Sequence, residues 1–549
     1  MNCCIYYHPE AYSTSGPTLM GRNAAGESFL NGFTRWSKSK QIYVYGESDG
    51  YFRSFNDQFA HRCSDKQVNF LTPLSTERLS EPGCLFMPGP GIDHIGTRRQ
   101  ALGKPNAWSI TGITHTTASA EAMKSIVSLL SAPVEKWDAL ICTSEAVKGH
   151  VLRILDEQSK FLSDRFRARC PILPELPVIP LGIDTEDFAY SDKERKLSRS
   201  QLGIRDEEIV VLYTGRLSFH AKAHPLAMYQ AIEEASIATA ENIVLIESGW
   251  HGNEHIAAAF KEGAEAGCPS VRVIRLDGRL KEQRDNGWAA SDVFCSLSDN
   301  IQETFGIVPI EAMAAGLPVV VSDWDGYRDS VRDSIDGYCV PTLMPEEGSG
   351  IDLAQRHALG IDSYDRYCGN TSSLVSVDID AAKEAFCRLF SSRELRIQMG
   401  QAGRKRAVTD YDWKSIIPRY ESLWDRLNIK RTEKSADMRP RYSPTWLDPF
   451  YAFAGYPTER LASESKLKLR KKNSAESLRQ LERVTRLAMV NFASYVMPTN
   501  EESKLVINSL EKGEKTVQEI LQLIPYDRRR HFYRSLLWML KMGILTECR

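Results

Sequence analysis

The sequence predicts an α/β protein with two parallel β-sheets, each covered by helices on both faces, followed by a mainly α-helical C-terminal extension. Short β-rich segments alternate with helical patterns through residues 1–195, and the alternation starts again within residues 205–427. Such alternation is typical of parallel sheets. In the second region, the segment 317–321 (LPVVV) is apolar without interruption. This pattern is expected of a central strand that is buried on both faces.

The first domain, residues 1–195, contains six strand candidates. Its first strand is followed by a glycine-bearing loop, residues 16–26, and a helical pattern begins near Glu27. Helices are also predicted at 118–130 and 144–155 by their apolar spacing. The predicted strands are 3–7, 41–45, 84–87, 108–113, 139–142 and 177–180.

The second domain, residues 205–427, contains five strand candidates and ends in an amphipathic helix. The helix spans 412–427, where apolar residues recur at helical spacing. The predicted strands are 209–213, 243–246, 271–275, 293–297 and 318–321.

The remaining residues are divided into a connector, 428–465, and a helical extension, 466–549. Residues 466–486 are strongly basic and carry an apolar stripe at Leu478, Leu481, Val484 and Leu487. Such a helix either packs on the protein or contacts anionic lipid. The order of elements beyond it faintly resembles a winged helix, and we favour a docking or oligomerisation module over a DNA-binding one.

Bulk composition narrows the function classes. The chain has 549 residues, which is too many for one hydrophobic core. Its formal net charge of −2 argues against a protein that binds nucleic acid over its whole surface, so any basic surface must be local. No apolar run reaches the ~18 residues of a membrane-spanning helix, and the N-terminus lacks the basic region of a signal peptide. The 12 cysteines are scattered, without C-x-x-C spacing. We therefore expect a cytoplasmic protein with reduced thiols, with peripheral contact at the inner face of a membrane left open.

Two segments of the second domain suggest an anion site. Gly215 and Arg216 follow the strand 209–213, and Lys222 lies six residues beyond Arg216. The carboxyl edge of a parallel sheet is where α/β proteins bind ligands, and both cations can face a diphosphate there. One such contact at ~4 Å contributes roughly 4 kcal/mol at an effective dielectric near 20, before desolvation. Either cation alone could equally be a surface residue.

The second segment is Glu303-Thr304-Phe305-Gly306, which precedes a predicted helix. Free backbone N–H groups at the start of a helix bind anions, and glycine allows a ligand to approach the backbone. Glu311 is expected about two turns into that helix, where its carboxylate could accept hydrogen bonds from a ribose diol. A single glutamate on a helix is more often solvated, but the order and placement of the whole set agree.

These motifs resemble family 4 of the retaining glycosyltransferases. The resemblance rests on Gly215-Arg216-Leu217 with Lys222, on the two glutamates Glu303 and Glu311, and on the run 311–320 (EAMAAGLPVV). It is strong over 205–427 and weaker over the first half. It implies the GT-B fold, in which two Rossmann-like domains face a cleft and the final helix returns to brace the N-terminal domain.

The resemblance also implies the roles of individual residues. Arg216 and Lys222 would stabilise a diphosphate leaving group, Glu303 would lie beside the donor sugar, and Glu311 would hold the ribose. The backbone of Thr304, Phe305 and Gly306, with Gly215, would contact sugar and phosphate. One departure is that Lys222 comes one residue later than in the common pattern.

Two candidates fall in the first domain. His115 follows the strand 108–113, where the family places a histidine near the donor sugar, although an isolated histidine is more often structural. Gly21, in the loop 16–26, matches the family's glycine-rich loop near the diphosphate. A plain strand-to-helix turn is the alternative interpretation of this loop.

The expected activity is transfer of a sugar from a nucleotide-diphosphate sugar to a carbohydrate, lipid-linked or other acceptor, without a metal ion or other cofactor. A glycoside phosphorylase of the same fold and an inactive glycosyltransferase-like binding protein remain alternatives. Two metal-like motifs are interpreted as loops: residues 251–255 (HGNEH) and the D-x-D at 323–325. A dinucleotide oxidoreductase is disfavoured because no G-x-G-x-x-G opens a βαβ unit.

Overall fold

The computed structural model describes residues 2–14, 21–63, 65–168, 174–433 and 446–548. The chain divides into two compact units, Met1–Thr445 and Trp446–Arg549. The boundary between them lies inside the predicted connector. Both large sheets belong to the first unit, in which they form two α/β halves.

The first half contains a six-stranded sheet in which every strand pair is parallel. The strand order is β3-β2-β1-β4-β5-β6. The strands are β1 (Cys4–Tyr6), β2 (Gln41–Tyr45), β3 (Gln67–Leu71), β4 (Cys84–Phe86), β5 (Ser109–Ile113) and β6 (Ala139–Ile141). The helices are α1 (Pro9–Tyr12), α2 (Gly21–Trp36), α3 (Asp49–Phe59), α4 (Asp93–Ala101), α5 (Ala120–Ser128) and α6 (Glu145–Phe166).

Two sequence predictions for this sheet were wrong. Residues 177–180 form only an isolated bridge between Val178 and Cys142 rather than a strand, because Pro177 and Pro180 lack the N–H that a ladder requires. Strand β3 was not predicted. It is an edge strand that carries Gln67 and Asn69 among its five residues and is mostly half-buried, so its apolar signal is weak.

The second half repeats the same topology. Its sheet is again entirely parallel, with the order β12-β11-β10-β7-β8-β9. The strands are β7 (Ile209–Thr214), β8 (Ile243–Gly249), β9 (Arg272–Asp277), β10 (Val293–Ser296), β11 (Val319–Ser322) and β12 (Gly337–Val340). A two-stranded antiparallel ribbon follows, β13 (Thr342–Leu343) with β14 (Ser376–Val377).

Strand β12 was not predicted because it is short and begins with a glycine. A Cβ at Gly337 would lie 1.9 Å from the carbonyl oxygen of Val319 on the neighbouring strand, so the close strand approach excludes a side chain there. The helices of this half are α7 (Asp192–Gln201), α8 (Leu226–Thr239), α9 (Glu254–Gly267), α10 (Lys281–Ala290), α11 (Ile307–Ala314), α12 (Tyr327–Ser330), α13 (Ile351–Ala358), α14 (Tyr364–Ser372), α15 (Ile379–Ser391), α16 (Arg393–Arg406) and α17 (Trp413–Thr432).

Helix α17 leaves the second half and packs on the first. Its buried residues Ile416, Tyr420 and Trp424 share a hydrophobic core with Phe29 and Phe86 of the first half. The predicted return helix is therefore present, and it extends to Thr432 rather than ending at Leu427.

The start of α17 is anchored by the indole ring of Trp413. A Cβ at Gly32 would lie 2.4 Å from that ring, and a Cβ at Gly182 would lie 2.7 Å from it. The indole N–H also donates a hydrogen bond to Ser28. Because these two glycines have no side chains, the indole ring packs directly against their backbone and holds the start of α17 on the first half.

The second unit combines helices with a three-stranded antiparallel sheet in the order β16-β15-β17. Its elements are α18 (Pro449–Ala452), β15 (Lys466–Leu469), α19 (Ser474–Thr485), α20 (Ala488–Asn491), α21 (Asn500–Ser509), β16 (Lys515–Thr516), α22 (Val517–Gln522), α23 (Arg529–Lys541) and β17 (Leu545–Glu547). The expectation of one helix over residues 466–486 is wrong. Its first four residues form β15, the central strand of this sheet, since their alternating Lys and Leu place Leu467 in the core.

No helix among the residues that the structure describes is long and apolar enough to cross a membrane.

Candidate functional site

Both sheets reverse strand order next to their first strand, between β1 and β4 and between β7 and β10. In open parallel sheets, ligands bind outside the carboxyl ends of the strands at such a switch point. In the second half, β7 ends at Thr214 and is followed by Gly215 and Arg216, while β10 ends at Ser296 and leads to Glu303. The two predicted anion-site segments therefore leave the sheet at the same switch point.

Three predicted side chains come together there. The ammonium of Lys222 lies 3.2 Å from a carboxylate oxygen of Glu303. The guanidinium of Arg216 donates a hydrogen bond of 3.1 Å to the side-chain oxygen of Gln302, the residue before Glu303. The extra residue between Arg216 and Lys222 still allows the lysine to reach Glu303. This arrangement places two cations and a carboxylate at one strand edge.

Gly215 allows the strand ends to approach closely. Its φ is +144°, in the region that favours glycine. A Cβ at Gly249, the last residue of β8, would lie only 1.9 Å from the carbonyl oxygen of Gly215. The backbone at the end of β7 is therefore held against β8 without intervening side chains, and Arg216 projects from this fixed turn.

Helix α11 begins immediately after Gly306, which adopts φ +72°. A Cβ at Gly306 would lie 1.8 Å from the Tyr327 ring, so both backbone and packing require glycine. Phe305 is buried in the core below the helix. The first turn of α11 therefore begins four residues after Glu303, and the free backbone N–H groups of such a turn can bind an anion.

Glu311 is closer to the start of α11 than expected. The helix starts at Ile307, so Glu311 is its fifth residue, and Glu303 lies before the helix rather than on one of its faces. Burial raises the pKa of Glu311 to about 7, against the opposing charge of Arg284. Burial, and after it the charges of Asp285 and Glu311, raise the pKa of the half-buried Tyr190, so Glu311 and Tyr190 are neighbours. A half-buried carboxyl with this pKa changes protonation state near neutral pH.

The two halves of the first unit meet at Thr304. Its hydroxyl donates a hydrogen bond of 2.6 Å to the carbonyl oxygen of His115, and its own carbonyl accepts one of 2.8 Å from the hydroxyl of Ser144. His115 therefore lies at the site through its backbone as well as through its position after β5. A hydrogen bond therefore joins the predicted segment 303–306 directly to the predicted histidine.

A second connection runs through Tyr364 on α14. The Gln302 amide donates to the Tyr364 hydroxyl at 3.1 Å, and that hydroxyl lies 3.4 Å from the Thr116 hydroxyl of the first half. Together with the bond from Arg216 to Gln302, this gives a continuous hydrogen-bonded path from the cation to the opposite half. Sequence reasoning missed Gln302 and Tyr364, because neither belongs to a motif and their proximity depends on the tertiary fold.

Asp325 also lies where the two halves meet, beside Ser144. The sequence analysis predicted that it belongs to a loop and gave it no role in the site. It does lie in the loop after β11, with the unusual φ of +46°, and one of its carboxyl oxygens is buried with no hydrogen-bond partner among the described residues. Burial, and next the charge of Glu303, raise its pKa to about 8.

The hydroxyl of Ser144 connects Asp325 to the contact between the two halves. This hydroxyl accepts a hydrogen bond from the Val147 N–H and donates its only proton towards the Thr304 carbonyl. It also lies 3.3 Å from Asp325 Oδ1. The hydroxyl proton is therefore shared between the Thr304 carbonyl and the Asp325 carboxyl, and the bond to Asp325 lowers the pKa of that carboxyl against the larger effect of burial.

The remaining candidates are placed as follows. Gly21 is the first residue of α2 and is exposed, with open space where a Cβ would lie; residues 16–20 of its loop lie outside the described residues. His251 makes a β-bridge with Leu217, whereas Glu254 begins α9 after the N-cap Asn253, so 251–255 do not form one helix. Within the described ranges, no group of three or more His, Cys, Asp or Glu side chains is placed to hold a metal ion.

A repeated parallel sheet with a cationic site at its switch point is an arrangement found in two-domain α/β proteins that bind nucleotides. Residues 194–347 match the family described as glycosyl transferases group 1. The match covers both anion-site segments. It confirms the resemblance drawn from Arg216, Glu303 and Glu311.

Known proteins agree with this assignment. A D-inositol 3-phosphate glycosyltransferase of Geodermatophilus obscurus is 30% identical over 228 residues, covering 38% of this chain and 48% of that protein. A lipopolysaccharide 1,2-N-acetylglucosaminetransferase of Salmonella typhimurium is 25% identical over 192 residues, covering 34% and 49%. The chain thus spans about half the length of these relatives.

The crystal structure of Anabaena HepE in complex with UDP and glucose superposes with a TM-score of 0.50 at 13% identity, covering 78% of this chain and all of that one. At this identity the likeness concerns the fold, which is GT-B as expected.

Proposed function

We propose that this protein is a retaining glycosyltransferase that transfers a sugar from a nucleotide-diphosphate sugar to a carbohydrate, lipid-linked or other acceptor. The observation that carries the proposal is the convergence of Arg216, Lys222 and Glu303 at the switch point of the second sheet, where Lys222 and Glu303 are 3.2 Å apart. The names of the relatives, both glycosyltransferases, support the same reaction class.

In this proposal the second half holds the donor. Arg216 binds the diphosphate as a fork and Lys222 binds it as a point charge, while the first turn of α11 adds backbone N–H donors. Glu311 accepts hydrogen bonds from the ribose hydroxyls. HepE was crystallised with UDP and glucose, so UDP-sugars are the first donors to examine.

The chemical step is a substitution at the anomeric carbon of the sugar. The bond from that carbon to the diphosphate oxygen breaks, a bond to the acceptor oxygen forms on the same face, and the acceptor proton passes to the departing phosphate oxygen. Catalysis then depends on stabilising charge on the leaving group and on positioning both substrates. Arg216 and Lys222 supply that charge stabilisation, which is why we propose that the reaction requires no metal ion or other cofactor.

The test is a donor screen with the purified full-length chain. UDP-, GDP- and ADP-sugars are incubated with and without EDTA, and release of the nucleoside diphosphate is measured together with thermal stabilisation. A bound donor at one hundred times its Kd stabilises the fold by ~2.7 kcal/mol. Turnover that persists in EDTA and is lost in Arg216→Ala is expected.

The alternatives give different results in the same screen. A glycoside phosphorylase would release sugar phosphate only when inorganic phosphate is added and would ignore nucleotide sugars. An inactive binding protein would be stabilised by a nucleotide sugar without turning it over. Either result would refute the proposed transferase.

A further inference from the structure

The second unit differs from the first in its surface. Among the described residues, the aromatic side chains that are strongly exposed in the first unit are Phe161 and Phe166, whereas the much shorter second unit exposes Trp446, Phe450, Tyr451, Phe453, Tyr456, Phe492, Tyr495 and Tyr526. The second unit is also basic, with 18 Lys and Arg against 12 Asp and Glu in residues 446–549, in a chain whose net charge is −2. Apolar and positive surface are thus concentrated in this unit.

The apolar stripe predicted on residues 466–486 is not the exposed one. Leu478, Leu481 and Val484 pack into the core of the second unit, where Leu481 is buried. Leu487, the last member of that stripe, is 46% exposed. The exposed apolar surface begins there and continues through the next two short helical turns.

This surface, which we call the 487–495 ridge, is formed by Leu487, Met489, Phe492 and Tyr495. Met489, Phe492 and Tyr495 are 85%, 92% and 81% exposed. Between them, Val490 is buried in the core and fixes α20 in place. Isolated exposed apolar residues are ordinary on proteins, but four within nine residues are a concentration that is typical of an interaction site.

A basic stripe leads into the ridge. Arg479 and Arg483 lie on α19, and Arg486 is its C-cap with helical backbone angles, so their spacing of four and three residues places them on one face. All three are exposed, and Arg486 pairs with Glu482. Arg479 and Arg483 have no ion-pair partner within the described part of the chain. Uncompensated arginines followed by protruding Met, Phe and Tyr side chains are the chemistry that recognises an anionic bilayer, with the cations on the headgroups and the apolar tips in the acyl boundary.

We propose that the 487–495 ridge and the arginine stripe Arg479–Arg483–Arg486 form a docking surface for a membrane rich in anionic lipid. The proposal does not depend on the transferase activity, because binding to vesicles needs neither donor nor acceptor. The arginines of this surface lie within residues 466–486, where the sequence left a lipid contact open, whereas its apolar side chains lie mostly in the segment that follows.

The experiment is flotation of the full-length protein with vesicles of phosphatidylcholine alone and of phosphatidylcholine with 30–40% phosphatidylglycerol, about the anionic content that gives a strong surface potential. The wild type is expected to float with the anionic vesicles and not with the neutral ones. Since one arginine near an anionic surface contributes about fivefold to partitioning, Arg479→Gln with Arg483→Gln should weaken binding roughly 25-fold, and raising the salt should have a similar effect.

The ridge is tested separately from the charges. Phe492→Ser with Tyr495→Ser removes two exposed rings and should abolish flotation while leaving the melting temperature unchanged, because neither side chain is in the core. Leu343→Ser with Leu359→Ser is the matched control, since these side chains are 74% and 75% exposed in the first unit; it should float as the wild type does.

Three outcomes would overturn the proposal. The wild type could fail to bind anionic vesicles, or bind them equally well after the ridge substitutions. Alternatively, the ridge substitutions could dissociate an oligomer, seen by sedimentation, without changing vesicle binding, which would assign the ridge to a second copy of the chain. Loss of transferase activity alone would leave the docking surface unaffected, so failure of the two proposals is distinguishable.

Discussion

The hydroxyl of Ser144, in the first half of the first unit, donates a 2.8 Å hydrogen bond to the carbonyl oxygen of Thr304 in the second half. Ser144 is fully buried and is also the N-cap of the long helix α6. One residue therefore fixes both the start of a helix and the contact of the two halves beside Glu303. Orientation between the halves is expected to matter for catalysis, because small displacements of reacting groups are costly.

Ser144→Ala is expected to lower both stability and activity. Loss of an N-cap costs ~1 kcal/mol, and the unpaired carbonyl of Thr304 adds a cost of similar size. Ser119→Ala is the matched control, because Ser119 caps α5 in the same way and, within the described residues, makes no hydrogen bond to the second half. Urea unfolding should show a larger loss for Ser144→Ala, and kcat/KM should fall only for that variant. Equal effects of the two substitutions on kcat/KM would contradict this role.

Arg216→Ala is expected to reduce kcat by roughly 10²–10³, the usual effect of removing one donor that stabilises charge in a transition state. The fold should persist, because the side chain is half-buried and its hydrogen bond is to Gln302 alone among the described residues. Arg388→Ala is a suitable control, since Arg388 is exposed and pairs with Glu384 on its own helix. Steady-state kinetics and thermal melting check both; near-normal activity of Arg216→Ala would remove the central assignment.

Lys222 and Glu303 are expected to be coupled in catalysis but not in stability. Their side chains are 35% and 14% exposed, and a partly solvated pair of this kind contributes about 0–1 kcal/mol. In a double-mutant cycle of Lys222→Met and Glu303→Gln, the effects on kcat/KM should be far from additive because both groups act on one substrate. The free energies of unfolding should change by less than ~1 kcal/mol. Additive kinetic effects would show that the two residues act independently.

Donor binding is expected to strengthen as the pH rises through about 7. Burial raises the pKa of Glu311 to about 7, so its carboxyl is protonated below that pH and accepts hydrogen bonds fully only above it. Because the pKa is raised, ionisation is less favourable in the folded state than in the unfolded one. Stability should therefore decline as the pH rises from the unfolded pKa to about 7, and level off above it. Calorimetric titration of the nucleoside diphosphate from pH 5.5 to 8.5 measures the first effect, and Glu311→Gln should flatten the profile. An unchanged profile in that variant would mean that another group titrates.

Comparing alanine substitutions at Gly306 and Gly316 separates the cost of backbone strain from the cost of a packing clash. Both have left-handed φ, +72° and +77°, but only Gly306 faces a ring that a Cβ would overlap, whereas the space around Gly316 is open. Gly316→Ala should cost roughly 1–2 kcal/mol from strain alone. Gly306→Ala adds a clash beneath the first turn of α11 and should cost at least ~3 kcal/mol, with a further loss of donor binding. Similar unfolding free energies for the two variants would contradict the packing argument.

Local sequence pattern by itself determined most of the strands and helices of the first unit. Uninterrupted apolar segments such as 319–321 and the amphipathic spacing of α17 identify buried strands and the returning helix, because burial imposes a period that a sequence displays directly. The motif around Arg216, Glu303 and Glu311 likewise identified the region that matches the glycosyl transferases group 1 family. Where the pattern is weak, as in the polar edge strand β3 or the glycine-led β12, the prediction failed.

The tertiary structure alone decided which polar groups meet. Gln302 and Tyr364 are 62 residues apart, and Ser144 and Thr304 are 160 apart; no local pattern records such pairs, because a hydrogen bond depends on the position of two atoms and not on the period of a segment. The same holds for Leu481 and Phe492. Both are apolar residues in a basic region of the chain, and only packing of the second unit buries the first and leaves the second exposed to solvent.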